Sequence, residues 1–196
     1  MTRFLVRSLS TAVAVFAATT PCARAQSAAA PAYESPNALV AVLPTALYTA
    51  QANLQEASDS TKSTIATGVL LETLGELLGT QAVSGDRIAA LLDAPETAAT
   101  RGDQACNVIV ACARAVAKQI GAPWVVMTKI SKTSNLIWLF TGQLIQTSTG
   151  TIILDDSTEL KGEPDRMVRA GTRIFAQRVA RTVRNGGTTT NFPTTK

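Results

Sequence analysis

WVVMTKISKTSNLIWLFTGQLIQTSTGTIILDDSTEL, residues 124–160, is where the architecture declares itself. Trp124 to Ile130 has the β-branched and aromatic content of a strand, and residues 131–134 read as a polar turn. Leu136, Trp138, Phe140 and Leu144 then fall on one face of a long strand. Thr149-Gly150 marks a hairpin into a third strand carrying Ile152, Leu154 and Leu160. Three strands joined by short turns predict an antiparallel meander.

Upstream, residues 38–43 (ALVAVL) form a continuous apolar run stopped by Pro44, the pattern of a strand covered on both faces. Residues 45–60 carry no decisive pattern. From 62 to 78 the spacing predicts a helix with Leu70, Leu71, Leu74, Leu77 and Leu78 on one face, Ser60 or Thr61 as N-cap and Gly79 at its end. Gly68 and Gly75 lie beside that face and leave room for another backbone, within the domain or in a helix–helix dimer seam. A short helix opens at Ser84-Gly85-Asp86, carries Ile88, Leu91 and Leu92 and stops before Pro95, with 95–105 expected as a loop. A third helix, 108–120, puts Val108, Ile109, Cys112, Val116 and Ile120 on one face, Arg114 and Lys118 on the other, and ends at Gly121. The last helix, 164–184, starts with Pro164 and has Asp165 near its positive end. This order predicts an α/β (α+β) fold: a single mixed sheet with a C-terminal meander, helices packed on it and a closing C-terminal helix.

Residues 1–25 have the layout of a signal peptide, with Arg3 and Arg7 before an apolar stretch and a small-x-small end at Ala23-Arg24-Ala25. The expected products are a flexible lead-in over 26–37, one domain over 38–184, a disordered tail over 185–196 and a periplasmic location. Removing the leader leaves 15 basic against 14 acidic residues, a net of +1, which by itself names no nucleic-acid partner. The sequence has no histidine, which excludes His-based triads and the commonest zinc ligand. No cofactor is expected.

The segment Ile120-Gly121-Ala122-Pro123-Trp124-Val125-Val126, followed by the meander and closing helix, resembles the small α/β domains of exported envelope proteins, such as the amino-terminal domain of TolB and the core of the curli secretion lipoprotein CsgG. Lys132, Ser134, Asn135, Leu136 and Ile137, with Gly162 and Asp165 ahead of the last helix, are similar to an uncharacterised family of secreted proteobacterial proteins. That resemblance implies a domain of unknown function and marks Lys132, Ser134, Asn135 and Asp165 as partner-binding candidates.

Cys106 and Cys112 are the cysteines of the expected mature chain. Six residues along a helix rise about 9 Å, beyond the roughly 7 Å limit for a bridge. A disulfide therefore requires Cys106 to sit in the loop before the helix; two free core thiols or a redox-active pair are the other readings. Arg166, Arg169 and Arg173, with Arg181 and Arg184, share one broad face of the last helix, either solvated or touching anionic lipid or an acidic partner. Asp155, Asp156 and Glu159 read as a solvated strand face, and Lys129 or Lys132 beside Ser134 as a remote Ser/Lys pair. The expectation is a non-enzymatic periplasmic protein that binds or scaffolds an envelope component through its sheet edge or the 132–135 turn. A carrier of a small apolar ligand lined by Trp124, Trp138 and Phe140, or a thiol-redox accessory protein using Cys106 and Cys112, are the alternatives.

Overall fold

The computed structural model describes residues 40–51, 55–79, 82–83, 85–102 and 105–189. The leader, the lead-in and residues 190–196 of the tail lie outside them. The centre of the fold is β4 (Trp124–Lys132), paired antiparallel with β5 (Ile137–Gln146), which pairs antiparallel with β6 (Ile152–Lys161). On its other edge β4 takes two short parallel strands end to end: β1 (Val40–Val42) against Trp124, Val125 and Val126, and β2 (Ala46–Thr49) against 129–132. Pro44 has no N–H to offer a ladder, so pairing lapses there and resumes at Ala46; the buried hydroxyls of Thr45 and Thr128 meet at 2.7 Å across the gap. The undecided stretch after Pro44 therefore contains a strand. β3 (Ala82–Val83) pairs parallel with β1 and completes a six-stranded mixed sheet among the described residues.

One face of the sheet carries α1 (Asp59–Leu78) and α5 (Pro164–Arg184). Val40, Val42, Trp124, Val126, Ile130, Trp138, Phe140 and Leu144 point toward them and meet Leu70 and Leu74 of α1 and Phe175 and Val179 of α5. The apolar positions of α5, Val168, Phe175, Val179 and Val183, recur at helical spacing and are all buried. On the opposite face α4 (Val110–Gln119) covers Ala41, Leu43, Val125, Met127 and Ile145, with Ile88 of α2 (Gly85–Leu92) in the same cluster.

Four local expectations are corrected. Residues 95–105 are not all loop, because Pro95 occupies the first turn of α3 (Pro95–Arg101), a position where its missing N–H costs nothing. The N-cap of α1 is Ser58 rather than Ser60 or Thr61, and its side chain makes no cap bond. A Cβ at Gly68 or Gly75 would meet no atom within 4 Å, so neither admits a close backbone within the chain. Arg114 is not simply solvated: its Nε and an Nη donate to the carbonyls of Thr147 and Ser148, at 2.9 and 2.8 Å, and hold the β5–β6 hairpin.

Gly142 explains itself by contact. A Cβ there would lie 2.6 Å from the Phe175 ring, which sits edge-on to Phe140 at 5.6 Å between centroids. Gly142→Ala should destabilise the domain by about 1–3 kcal/mol through overpacking, read as a lowered denaturant midpoint; an unchanged midpoint would show that Phe175 can move aside.

Candidate functional site

The sheet is only half covered on its second face. Strand register sets the rows there: Met127, Gln143 and Asp155; then Lys129, Thr141 and Ser157; then Tyr48, Ser131, Leu139 and Glu159; finally Ile137 and Lys161. The helical layer shields the first row in part. Beyond it the cover thins: Lys129 and Leu139 are half-buried and Ser131 stays buried, but Tyr48 (56% exposed), Ile137 (39%) and Leu136 (80%) leave apolar surface in water at one end.

Where the covered and open halves meet lies a groove of about 300 Å³, lined by Asn107, Met127, Lys129, Thr141, Gln143 and Asp155. One lip is the 3₁₀ turn Cys106–Val108. The Cys106–Cys112 disulfide, with Cα atoms 5.1 Å apart, ties this turn to α4. Cys106 does sit outside the helix, as the bridge geometry requires. Both half-cystines are buried, so an external thiolate has no path to the sulfur and redox exchange is disfavoured. Asn107 donates from Nδ2 to the Pro44 carbonyl at 2.9 Å, while its buried Oδ1 has no hydrogen-bond partner among the described residues. The groove offers the Lys129 ammonium and the Gln143–Asp155 pair, bonded at 3.3 Å.

Lys132 is not on a surface turn. It is the last residue of β4, only 2% exposed, and its ammonium points to the α1–α5 side. There it donates to Glu56 at 3.0 Å and to both Asp59 carboxylate oxygens at 3.1 and 3.2 Å, 5.2 Å from the centre of the Trp138 ring. Lys62 lies over the same ring at 5.7 Å and bridges Asp165 at 3.4 Å. Desolvation pulls the Lys132 pKa down, but the hydrogen bonds and charges of Glu56 and Asp59 outweigh it and raise it above the usual 10.5. Lys132 and Asp165 thus belong to a charge cluster joining β4, α1 and the start of α5. The sequence carries the residues but not the cluster, since Asp59 and Lys132 lie 73 positions apart.

The turn itself spans 133–136. Ser134 Oγ accepts from the Leu136 and Ile137 N–H groups at 3.3 and 3.1 Å, a local bond that shapes the turn. Asn135 is exposed at its tip. Asp156, read as solvated, is paired with Arg178 under the sheet; burial pushes its carboxyl up against the opposing pull of that guanidinium. Asp155 points the other way, into the groove margin. Trp124, Trp138 and Phe140 are packed into the core and do not line a ligand pocket. Arg166, Arg169 and Arg173 are exposed along the outside of α5. No metal-binding group of His, Cys, Asp and Glu occurs among the described residues.

Residues 40–179, from β1 through most of α5, match the DUF3280 family, described as "Protein of unknown function (DUF2380)". The chain belongs to this family. The resemblance drawn from the Lys132 to Ile137 segment thus holds at the level of a domain of unknown function. No curated protein matches the DUF3280 chain. Among solved structures, the C-terminal domain of LpoB from Salmonella enterica is similar at 16% identity and a TM-score of 0.47, covering 67% of this chain and 88% of its own. Lipoprotein GNA1162 from Neisseria meningitidis is similar at 12% identity and a TM-score of 0.40, covering 77% and 99%. TolB from Acinetobacter baumannii is similar at 14% identity and a TM-score of 0.43, covering 79% of this chain and 30% of its own. Among the described residues no helix is long and apolar enough to cross a membrane.

The bridge and the charge cluster make three testable contributions. Changing both Cys106 and Cys112 to Ser should cost about 2 kcal/mol for so short a loop and lower the melting temperature by about 4–8 °C; calorimetry showing no shift would contradict a constraining bridge. Asp59→Ala should lower the melting temperature more than Glu56→Ala, because Asp59 is buried beside Lys132 whereas Glu56 is exposed. Since the folded-state pKa of Lys132 is raised, the cluster's contribution is complete below pH 10.5 and is lost as pH climbs through the folded value. Alkaline melts of Lys132→Met should therefore fall less steeply above pH 10.5 than those of the wild type.

Proposed function

We propose that this protein is a non-catalytic binding module of the bacterial cell envelope that takes a partner protein on the open half of its sheet. The observation carrying this reading is the group of Tyr48, Ile137 and Leu136, apolar side chains left in water beside the half-buried Leu139, on a rigid sheet whose other half is covered. Around them stand Lys129, Glu159, Lys161 and Asn135, the polar rim that a protein interface uses for registration. The groove beside Asn107 adds a place for one projecting polar side chain of the partner. Ser134 supports the surface by shaping the turn that presents Asn135 and Leu136, rather than by contact. The leader read from residues 1–25 supports the envelope location.

The nucleophile-like residues of the neighbourhood support no catalytic alternative. The Lys132 ammonium is held by Asp59 and Glu56, and Ser134 Oγ accepts from backbone N–H groups, which disfavours a Lys132/Ser134 pair; Lys129 lies in the groove, paired across the sheet with Thr141.

A photoreactive p-benzoylphenylalanine placed at position 137, in cells that make the protein, should yield a discrete adduct. Adding Tyr48→Ser and Leu136→Ser should abolish it without moving the melting temperature, since both side chains are exposed. No adduct from position 137, or one that survives the double change, would reject this face as the docking site.

A further inference from the structure

The outer side of α5 is a second surface, on the other side of the sheet from the proposed partner face. Arg166, Arg169, Arg173, Gln177, Arg181 and Arg184 follow one another at three- and four-residue steps, are all exposed, and so form one line along the helix. The line runs for about 27 Å, 18 residues at 1.5 Å each. Ile174, 59% exposed, lies beside its middle. No acidic residue follows Asp165 anywhere in the sequence.

Acids that could neutralise this stripe are accounted for in its first half. Glu163 accepts the Asp165 and Arg166 N–H groups at the helix start, and Asp165 is bridged to Lys62. In the second half α1 runs parallel to α5, as the Lys62–Asp165 bridge at one end and the Arg184–Leu77 carbonyl bond at the other require. That alignment brings Glu72 and Glu76, exposed on α1, level with Gln177 and Arg181. Arg166, Arg169 and Arg173 take part in no salt bridge among the described residues.

We infer that this face of α5 lies on a membrane surface containing anionic phospholipid, with the arginines of its first half on lipid phosphates and Ile174 entering the headgroup layer. A planar guanidinium donates two parallel N–H bonds to phosphate oxygens, and every basic residue of α5 is arginine. A straight stripe along one helix suits a laterally extended array of phosphates, which needs no complementary shape. The contact is peripheral, held by charge and one shallow apolar side chain. Docked this way, the open half of the sheet faces away from the bilayer and stays available to a partner.

The test uses the full-length gene product, purified as the cell processes it, and flotation with vesicles of phosphatidylethanolamine plus phosphatidylglycerol, or of phosphatidylcholine alone. Binding is expected to the phosphatidylglycerol vesicles and not to phosphatidylcholine. It should weaken as added salt shortens the screening length from about 10 Å at 0.1 M to about 3 Å at 1 M. Arg166→Gln, Arg169→Gln and Arg173→Gln together should lower the partition coefficient about 100-fold, and Arg169→Gln alone about 5-fold. The melting temperature should be unchanged, because the three side chains are exposed. Vesicle binding should also survive Tyr48→Ser with Leu136→Ser, so this inference and the partner reading can fail separately. Equal vesicle binding by wild type and triple variant would overturn it. So would absent binding to phosphatidylglycerol vesicles, or capture by soluble heparin without vesicle binding, which would assign the stripe to a soluble polyanion.

Discussion

A nine-residue strand with all but one of its residues buried must have its backbone satisfied from both edges, because an unpaired buried N–H or C=O costs as much as a lost hydrogen bond. β4 is that strand, and it draws three others to it: β5 along one edge and β1 and β2 in succession along the other. The break between β1 and β2 at Pro44 is tolerated because the chain there finds other partners. Leu43 N–H reaches the Val126 carbonyl at 3.1 Å, and the Thr45 N–H reaches Thr67 of α1 at 2.9 Å. Everything outside this spine is attached through it, β3 by way of β1 and β6 by way of β5.

The two faces of the spine are treated differently. Toward α1 and α5 the rows of β4 and β5 are packed, and even the mid-strand Gly142 is covered by the ring of Phe175. Toward α4 the cover stops after the row of Met127, because the disulfide ends the helical layer there by tying the Cys106–Val108 turn to α4. A sheet covered on one side and half bare on the other has its binding capacity set by where its cover ends, not by any reactive group. In this chain a groove lies at that edge, and the exposed apolar side chains Tyr48 and Ile137 lie in the rows beyond it.

Charge follows the same division. The cluster of Lys132, Asp59, Glu56, Lys62 and Asp165 around Trp138 locks the N-terminal ends of α1 and α5 to the end of β4. It also engages Asp165 with Lys62 rather than with the first arginines of α5. A buried ion cluster of this kind adds little net stability after desolvation, but it sets the relative position of three elements whose apolar contacts alone would allow sliding.

Period-2 alternation in the meander, the 3.6-residue period in α5 and the apolar run before Pro44 were all legible in the sequence, because each depends on neighbours within one element. So was the requirement that Cys106 leave the helix in order to meet Cys112, a matter of rise per residue. The strand at Ala46–Thr49 was not legible: its four residues have no long pattern, and only the vacant edge of β4 recruits them. Nor was the role of Lys132, which looks like a turn lysine until Asp59, 73 positions away, is brought beside it. Register likewise decided the open face, for Tyr48, Ser131, Leu139 and Glu159 come from four strands and share a row only after pairing. Local periodicity specifies which side of an element is apolar, whereas which apolar sides are covered depends on contacts between elements distant in the chain, and only the tertiary structure contains those.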